Sequence, residues 1–217
     1  MKKHIYFVSG TGANSKIFER IELPEKQFEM HFLEWILPLS KNETVESYAL
    51  RMSEKIQHPS PILVGVSFGG IIVQEMSKIK SCEKIVLISS IKNKYELPKK
   101  LRIIRDTKTY LLAPTTQIKN IENLISFIFG DKSKKRIEAY QSYLSVRNPL
   151  YLNWAIKQAL IWNQTEVLPN TIHIHGDQDP IFPIKYIKDC ITIPKGSHIM
   201  IITKAKKISS ILLNNLQ

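Results

Sequence analysis

The stretch Ile62-Leu63-Val64-Gly65-Val66-Ser67-Phe68-Gly69-Gly70 constrains this chain more than any other. Its apolar residues, Ile62 to Val64 and Val66, predict a short buried strand. From Ile71 the spacing turns helical, through Ile72, Glu75, Met76 and Ile79. Ser67 therefore stands on a hinge between strand and helix, with one glycine two residues before it and another two after. The G-x-S-x-G pattern has a steric meaning: a Cβ at 65 or 69 would collide with neighbouring backbone, and the serine is held in a strained conformation. Such a turn lifts the hydroxyl out at the carboxyl end of a sheet, at the N-terminus of a helix. Glycine-rich turns of this kind also occur where a protein only binds phosphate, so the other residues must decide.

The chain before and after this hinge alternates strands with helices. Ile5 to Val8 reads as a buried strand ended by Ser9-Gly10-Thr11-Gly12, followed by a helical turn over Ser15 to Arg20 and a second strand over Gln27 to Leu33. Asn42-Glu43-Thr44 opens an amphipathic helix to about Gln57, with Val45, Ala49, Met52 and Ile56 on one face. Lys84 to Ser89 makes a fourth strand. Strands recur at Thr171 to His175 and Cys190 to Ile193, with a short helix over Pro183 to Lys188 between them, and Ile199 to Leu216 forms a closing helix. This alternation predicts an α/β fold, a mainly parallel sheet with helices on both faces. At 217 residues and 43% hydrophobic the chain is long enough for one domain with a sizeable core.

The rhythm breaks between Ile91 and Pro169, where helical patterns occur without a convincing strand. Asn148-Pro149 is a good N-cap and first-turn pair for the last of these helices, which carries Leu152, Ala155, Ile156, Ala159 and Leu160 on one side and Trp154 and Ile161 on another. A helix apolar on two sides is sandwiched between layers. The expected organisation is a core of residues 1–90 and 170–217, with residues 91–169 inserted as a helical cap over the carboxyl edge of the sheet. Core packing explains the aromatics of the cap as well as ligand contact does.

Charge and cysteine content narrow the function classes. The net charge is +12, and the span Lys92 to Arg147 holds 13 Lys/Arg against 5 Asp/Glu, a local +8. A solvated basic face explains this better than an anion-binding surface, and nucleic-acid binding would rest on charge alone. Lysine and isoleucine are abundant while glycine is scarce, a bias that genome composition alone can produce. With only Cys82 and Cys190 no disulfide framework is expected, the start lacks a signal-peptide core, and no run approaches a membrane span; a reducing, cytoplasmic compartment is the default.

A serine hydroxyl needs a neighbouring base, and that base needs an acid to fix its tautomer. Of the six histidines, His4 and His31 belong to strands, His58 lies toward the other end of the sheet, and His173 and His175 share one strand face as core residues. His198, in a glycine-containing loop after a strand, returns to the edge that carries Ser67. The loop after the fourth strand holds no carboxylate, whereas the loop after His175 offers Asp177 and Asp179. Asp179, fixed by Pro180, is the expected acid, and Asp177 the brace of the turn. The backbone N–H of Phe68 and an N–H from Ser9-Gly10-Thr11-Gly12, best placed at Thr11, would stabilise a tetrahedral oxyanion.

Together these segments resemble the α/β-hydrolase family. Gly65-Val66-Ser67-Phe68-Gly69 is similar to its nucleophile elbow, and Ser9-Gly10-Thr11-Gly12 stands where many members carry a His-Gly oxyanion segment. His175 to Pro183 resembles its acid loop and Gly196-Ser197-His198 its histidine loop. The resemblance covers nearly the whole chain and implies a Ser67–Asp179–His198 triad in the order Ser, Asp, His, with a helical cap after the strand ending at Ser89. Ser9 replaces the usual histidine, and the chain begins with the strand before the oxyanion loop, as in a compact member lacking the family's two leading strands.

The function expected is a serine hydrolase cleaving a small carboxylic ester with an apolar moiety through an acyl-enzyme, with no metal or organic cofactor. The nearest alternative is an acyl thioesterase whose basic cap docks an acidic carrier or anionic substrate; carbon–carbon hydrolysis and acyl transfer use the same triad. A non-catalytic ligand-binding member of the fold would not need all three triad residues. The run His173-x-His175-x-Asp177 imitates a metallohydrolase signature, but its closing histidine is missing and no second histidine cluster follows at suitable spacing.

Overall fold

Strand β3 (Ile62–Val66) is buried at every position. Residues of this kind on both faces belong in the middle of a parallel sheet covered by helices. The computed structural model, which describes residues 2–108 and 142–217, places it there. Its neighbours are β1 (Lys3–Val8) and β4 (Lys84–Ile88), followed outward by β2 (Phe28–Leu33) on one side and by β5 (Thr171–Gly176) and β6 (Ile191–Ile193) on the other. The order is β2-β1-β3-β4-β5-β6 and every pairing is parallel.

Chain order reverses direction across the β1–β3 pair, because β1 is followed by β2 on one side and β3 returns on the other. In open parallel sheets a crevice forms outside the carboxyl ends at such a switch point. Here those ends are Val8, leading into Ser9-Gly10, and Val66, leading into Ser67. The register pairs Val8 with Gly65, so the two loops leave the sheet at nearly the same height.

Helices α1 (Val45–Ser53) and α2 (Phe68–Ile79) pack against each other. The Thr44 hydroxyl caps α1 by accepting from the Ser47 N–H at 3.2 Å. This helix ends at Ser53, four residues short of the expected Gln57, which leaves His58 in the loop that enters β3. Between β4 and β5 lie α3 (Lys99–Asp106) and α4 (Pro149–Ile161), with no strand among the described residues 91–108 and 142–169. Residues 109–141, the middle of the expected cap, fall outside the described residues.

Asn148 caps α4 through the Tyr151 N–H and Pro149 occupies its first turn, as the sequence predicts. The two apolar sides of α4 have different neighbours. Trp154 and Gln158 donate to the Glu43 carbonyl, and Trp162 just beyond donates to the Glu75 carboxylate. Ile156, Ala159 and Leu160 line a cavity. The closing helix is two pieces, α5 (Met200–Thr203) and α6 (Ala205–Leu216), separated by Lys204 at φ −126°, ψ 24°. The β-branched run Ile201-Ile202-Thr203 has low helix propensity and marks where the continuous helix fails.

Candidate active site

Ser67 has φ 54° and ψ −121°, a conformation that side-chain-bearing residues rarely adopt. Such a residue costs of order 1–3 kcal/mol and persists only where its surroundings over-determine it. Its N–H donates to the Ile88 carbonyl at 3.0 Å, and its carbonyl accepts from the Gly70 N–H at 2.9 Å and from the buried Ser90 hydroxyl at 2.7 Å. A Cβ on Gly65 would stand 2.3 Å from the Gly69 carbonyl oxygen, and one on Gly69 2.3 Å from that of Ser9. The expected collision at both glycines is therefore present. Gly70 matters as well, since a Cβ there would meet the Ser90 hydroxyl at 2.3 Å. Sequence reasoning missed Ser90; its only signal was a pair of small hydroxyl residues, Ser89-Ser90, where a strand stops.

The structure brings Ser67, His198 and Asp179 into one line. His198 Nε2 lies 2.9 Å from Ser67 Oγ, and its Nδ1 lies 2.9 Å from Asp179 Oδ2. An ionised carboxylate only accepts, so Nδ1 carries the proton and Nε2 offers its lone pair to the serine hydroxyl. Asp179 is itself fixed, because Oδ1 accepts from the N–H groups of Ile181 at 2.8 Å and Phe182 at 2.9 Å. Burial pushes its carboxyl up, yet the attraction and hydrogen bond of His198, together with the Phe182 N–H, hold it below the usual carboxylate range.

The acid loop and the histidine loop meet through glycine. A Cβ on Gly176 would lie 2.2 Å from the Gly196 carbonyl oxygen. Asp177 holds the turn through its backbone N–H, which donates to the Ile193 carbonyl at 3.3 Å, while its side chain is exposed. His173 and His175 are buried core residues, as expected. A carbonyl only accepts, so His175 Nε2–H donates to Phe182 at 2.8 Å, leaving its Nδ1 to accept from His173 Nε2 at 3.2 Å. Burial lowers both imidazoles: His173, also repelled by His175 and Lys92, falls to about 3, and His175 is lowered despite the opposing attraction of Asp179.

Phe68 opens α2, so its N–H has no intrahelical acceptor. Gly10 approaches Ser67 closely: a Cβ there would be 3.4 Å from that of the serine. Thr11, the next residue, lines the same cavity as Ser67, Phe68 and His198. Gly12 takes φ 75°, in the left-handed region, which lets the loop turn back. The loop is braced by the Ser9 hydroxyl to Ala13 O, Trp35 Nε1 to Gly10 O and the Val146 N–H to Gly12 O. Trp35 had no signal in the sequence beyond being aromatic.

The cavity has a volume of about 280 Å³ and walls that are almost wholly apolar. Ile17, Ile71 and Phe182 come from the core, and Leu101, Leu144 and Ile156 from the described part of segment 91–169. No Lys, Arg, Asp or Glu lines it among the described residues.

The fold and this arrangement together define an α/β-hydrolase fold. Solved structures agree across essentially the whole chain. A carboxylesterase of the thaumarchaeon Nitrososphaera gargenis matches with a TM-score of 0.74 at 14% identity, covering 99% of this chain and 90% of that one. A hydrolase from Pseudomonas aeruginosa matches at 0.71 with 13% identity, over 99% and 90% of the two chains. A bromoperoxidase from Bacillus anthracis matches at 0.70 with 15% identity, over 100% and 92%. No family model and no curated protein matches the sequence itself.

Proposed function

We propose that the chain is a serine hydrolase that cleaves carboxylic esters with an apolar moiety, with Ser67 as nucleophile, His198 as general base and then acid, and Asp179 orienting the imidazole. The observation that carries this reading is the Ser67–His198–Asp179 line, 2.9 Å at each step, opening into an apolar cavity. His198 takes the hydroxyl proton as Ser67 Oγ attacks the ester carbonyl. The resulting oxyanion lies against the Phe68 and Thr11 N–H groups, and collapse expels the alcohol with the proton from His198. Water then repeats the sequence against the acyl-enzyme and releases the acid. Segment 91–169 acts as the cap that supplies one wall of the substrate site. The fold relatives are consistent with hydrolysis, and the two free cysteines fit the reducing compartment expected from the sequence.

Thioesters are open to the same triad. An ester is favoured because the described walls carry no cation to hold an anionic acyl group, while the basic side chains of α3 such as Lys99 and Lys100 are exposed. Intact mass after incubation with a fluorophosphonate tests the chemistry. A single adduct on wild type, absent in Ser67→Ala and strongly slowed in His198→Ala, is the expected result. No adduct between about pH 6 and 9 would leave a ligand-binding relative of the fold. A panel of neutral esters and acyl thioesters then ranks the substrates, and faster, salt-sensitive thioester turnover would overturn the ester assignment.

A further inference from the structure

A second constellation lies on the sheet away from the triad, and the hydrolase reading does not use it. In β1 and β2 the register pairs His4 with Glu29 and Tyr6 with His31. Side chains alternate along a strand, so all four fall on one face of the β1–β2 pair. His58, in the loop before β3, comes over the same face with its ring 3.5 Å from that of His4. Three separate elements thus bring three imidazoles and a carboxylate together, and ligand atoms of the three histidines lie within 4.8 Å of one another.

The distances have the scale of a coordination shell. His4 Nδ1 and His31 Nε2 are 3.1 Å apart. Glu29 sets one oxygen 3.7 Å from His4 Nδ1 and the other 3.8 Å from His31 Nε2, too far for a hydrogen bond to either. Ligands about 2.0–2.1 Å from a tetrahedral ion stand about 3.3–3.4 Å from each other, so small side-chain shifts bring all three onto one centre. The third imidazole has a fixed outer partner. Tyr6 Oη accepts from the Gln57 N–H at 3.1 Å and faces His58 Nδ1 at 2.7 Å. With Nδ1–H donating to that oxygen, His58 keeps Nε2 as its ligand atom, the arrangement in which an outer hydrogen bond sets the tautomer of a metal-bound histidine. The ring lies only 7° from parallel to His4, so His58 must turn to complete the shell.

We infer that His4, His31 and Glu29, joined by His58, form a binding site for a late first-row divalent cation of the zinc class. Imidazole nitrogen with one carboxylate suits Zn²⁺, Co²⁺ and Ni²⁺ over the oxygen-seeking Mg²⁺ and Ca²⁺. The His4–His31 contact of 3.1 Å holds one N–H between the two rings, and a metal held by both nitrogens needs that proton moved to the other nitrogen of the donor ring, a change of tautomer. The ion would tie the edge strand β2 to β1 and to the loop entering β3. It takes no part in the chemistry at Ser67.

The test is titration of chelator-treated protein carrying Cys82→Ser and Cys190→Ser, which removes thiol competition, with Co²⁺ read by visible absorption and with Zn²⁺ read by thermal melting. Saturable visible bands at one ion per chain and a raised Tm with Zn²⁺ are expected. Both should be lost in His31→Ala and weakened in Glu29→Gln, whose side chain is half exposed and leaves folding intact. Far-UV circular dichroism checks the fold of His31→Ala. Absence of saturable Co²⁺ binding, or binding undiminished in both variants, overturns the site. Either result leaves fluorophosphonate labelling of Ser67 as a separate question.

Discussion

Ser67 is held in its strained conformation by contacts that leave no freedom on any side. Gly65 and Gly69 are in van der Waals contact with backbone where a methyl group would sit, and neither contact is with a flexible side chain that could move aside. Gly65→Ala should therefore cost at least about 3 kcal/mol, the upper end for overpacking, seen as a lower urea midpoint at unchanged slope. Ser90→Ala is a gentler probe, since it removes only the hydroxyl that holds the Ser67 carbonyl. A fall in kcat of about tenfold with little change in KM is expected, the worth of one hydrogen bond that positions the proposed nucleophile. The glycines were legible because G-x-S-x-G has a steric cause. Ser90 and Trp35 were not, because each contributes one hydrogen bond across a gap in sequence that no periodicity marks.

At the scale of elements, all six strands among the described residues were legible, because a parallel sheet buries runs such as Ile62–Val66 and Lys84–Ile88 that cannot be read as anything solvent-facing. Helix ends were less so. Helix α1 stops early and the closing helix breaks at Lys204, since tertiary packing decides where a weak helical run ends. Helix α4 shows how one element serves two layers, joining the Glu43 loop on one side and the cavity on the other. Its start depends on the Asn148 side chain, so Asn148→Ala should lower stability by about 1 kcal/mol in chemical denaturation. The same substitution should raise KM for apolar esters more than it lowers kcat, because α4 lines the cavity without touching Ser67. Equal loss in both constants would contradict that division.

Across the whole molecule, the buried histidines couple the sheet to the acid loop and set an acid limit on stability. His173 hands a hydrogen bond to His175, His175 holds the Phe182 carbonyl, and the Phe182 N–H holds Asp179. Both imidazoles are depressed on folding, His173 from 6.5 to about 3, so below pH 6.5 the unfolded chain binds protons that the native state refuses. Stability must then fall as pH drops below 6.5, with a slope approaching about 1.4 kcal/mol per pH unit from His173, whose contribution continues to about pH 3, and a further loss of the same sign from His175. Asp179, lowered in the native state, adds loss of the same sign below its unfolded value of 3.8. The +12 charge grows as the carboxylates protonate and works in the same direction. Urea midpoints from pH 7.5 down to 4.5 should decline steadily, and His173→Gln, which cannot take up the proton, should flatten the decline between 6.5 and 5 even where its midpoint at pH 7.5 is lower. An unchanged slope in that variant would mean that the acid limit is set elsewhere, by the general excess of positive charge, and 0.5 M salt would then restore what acid removes.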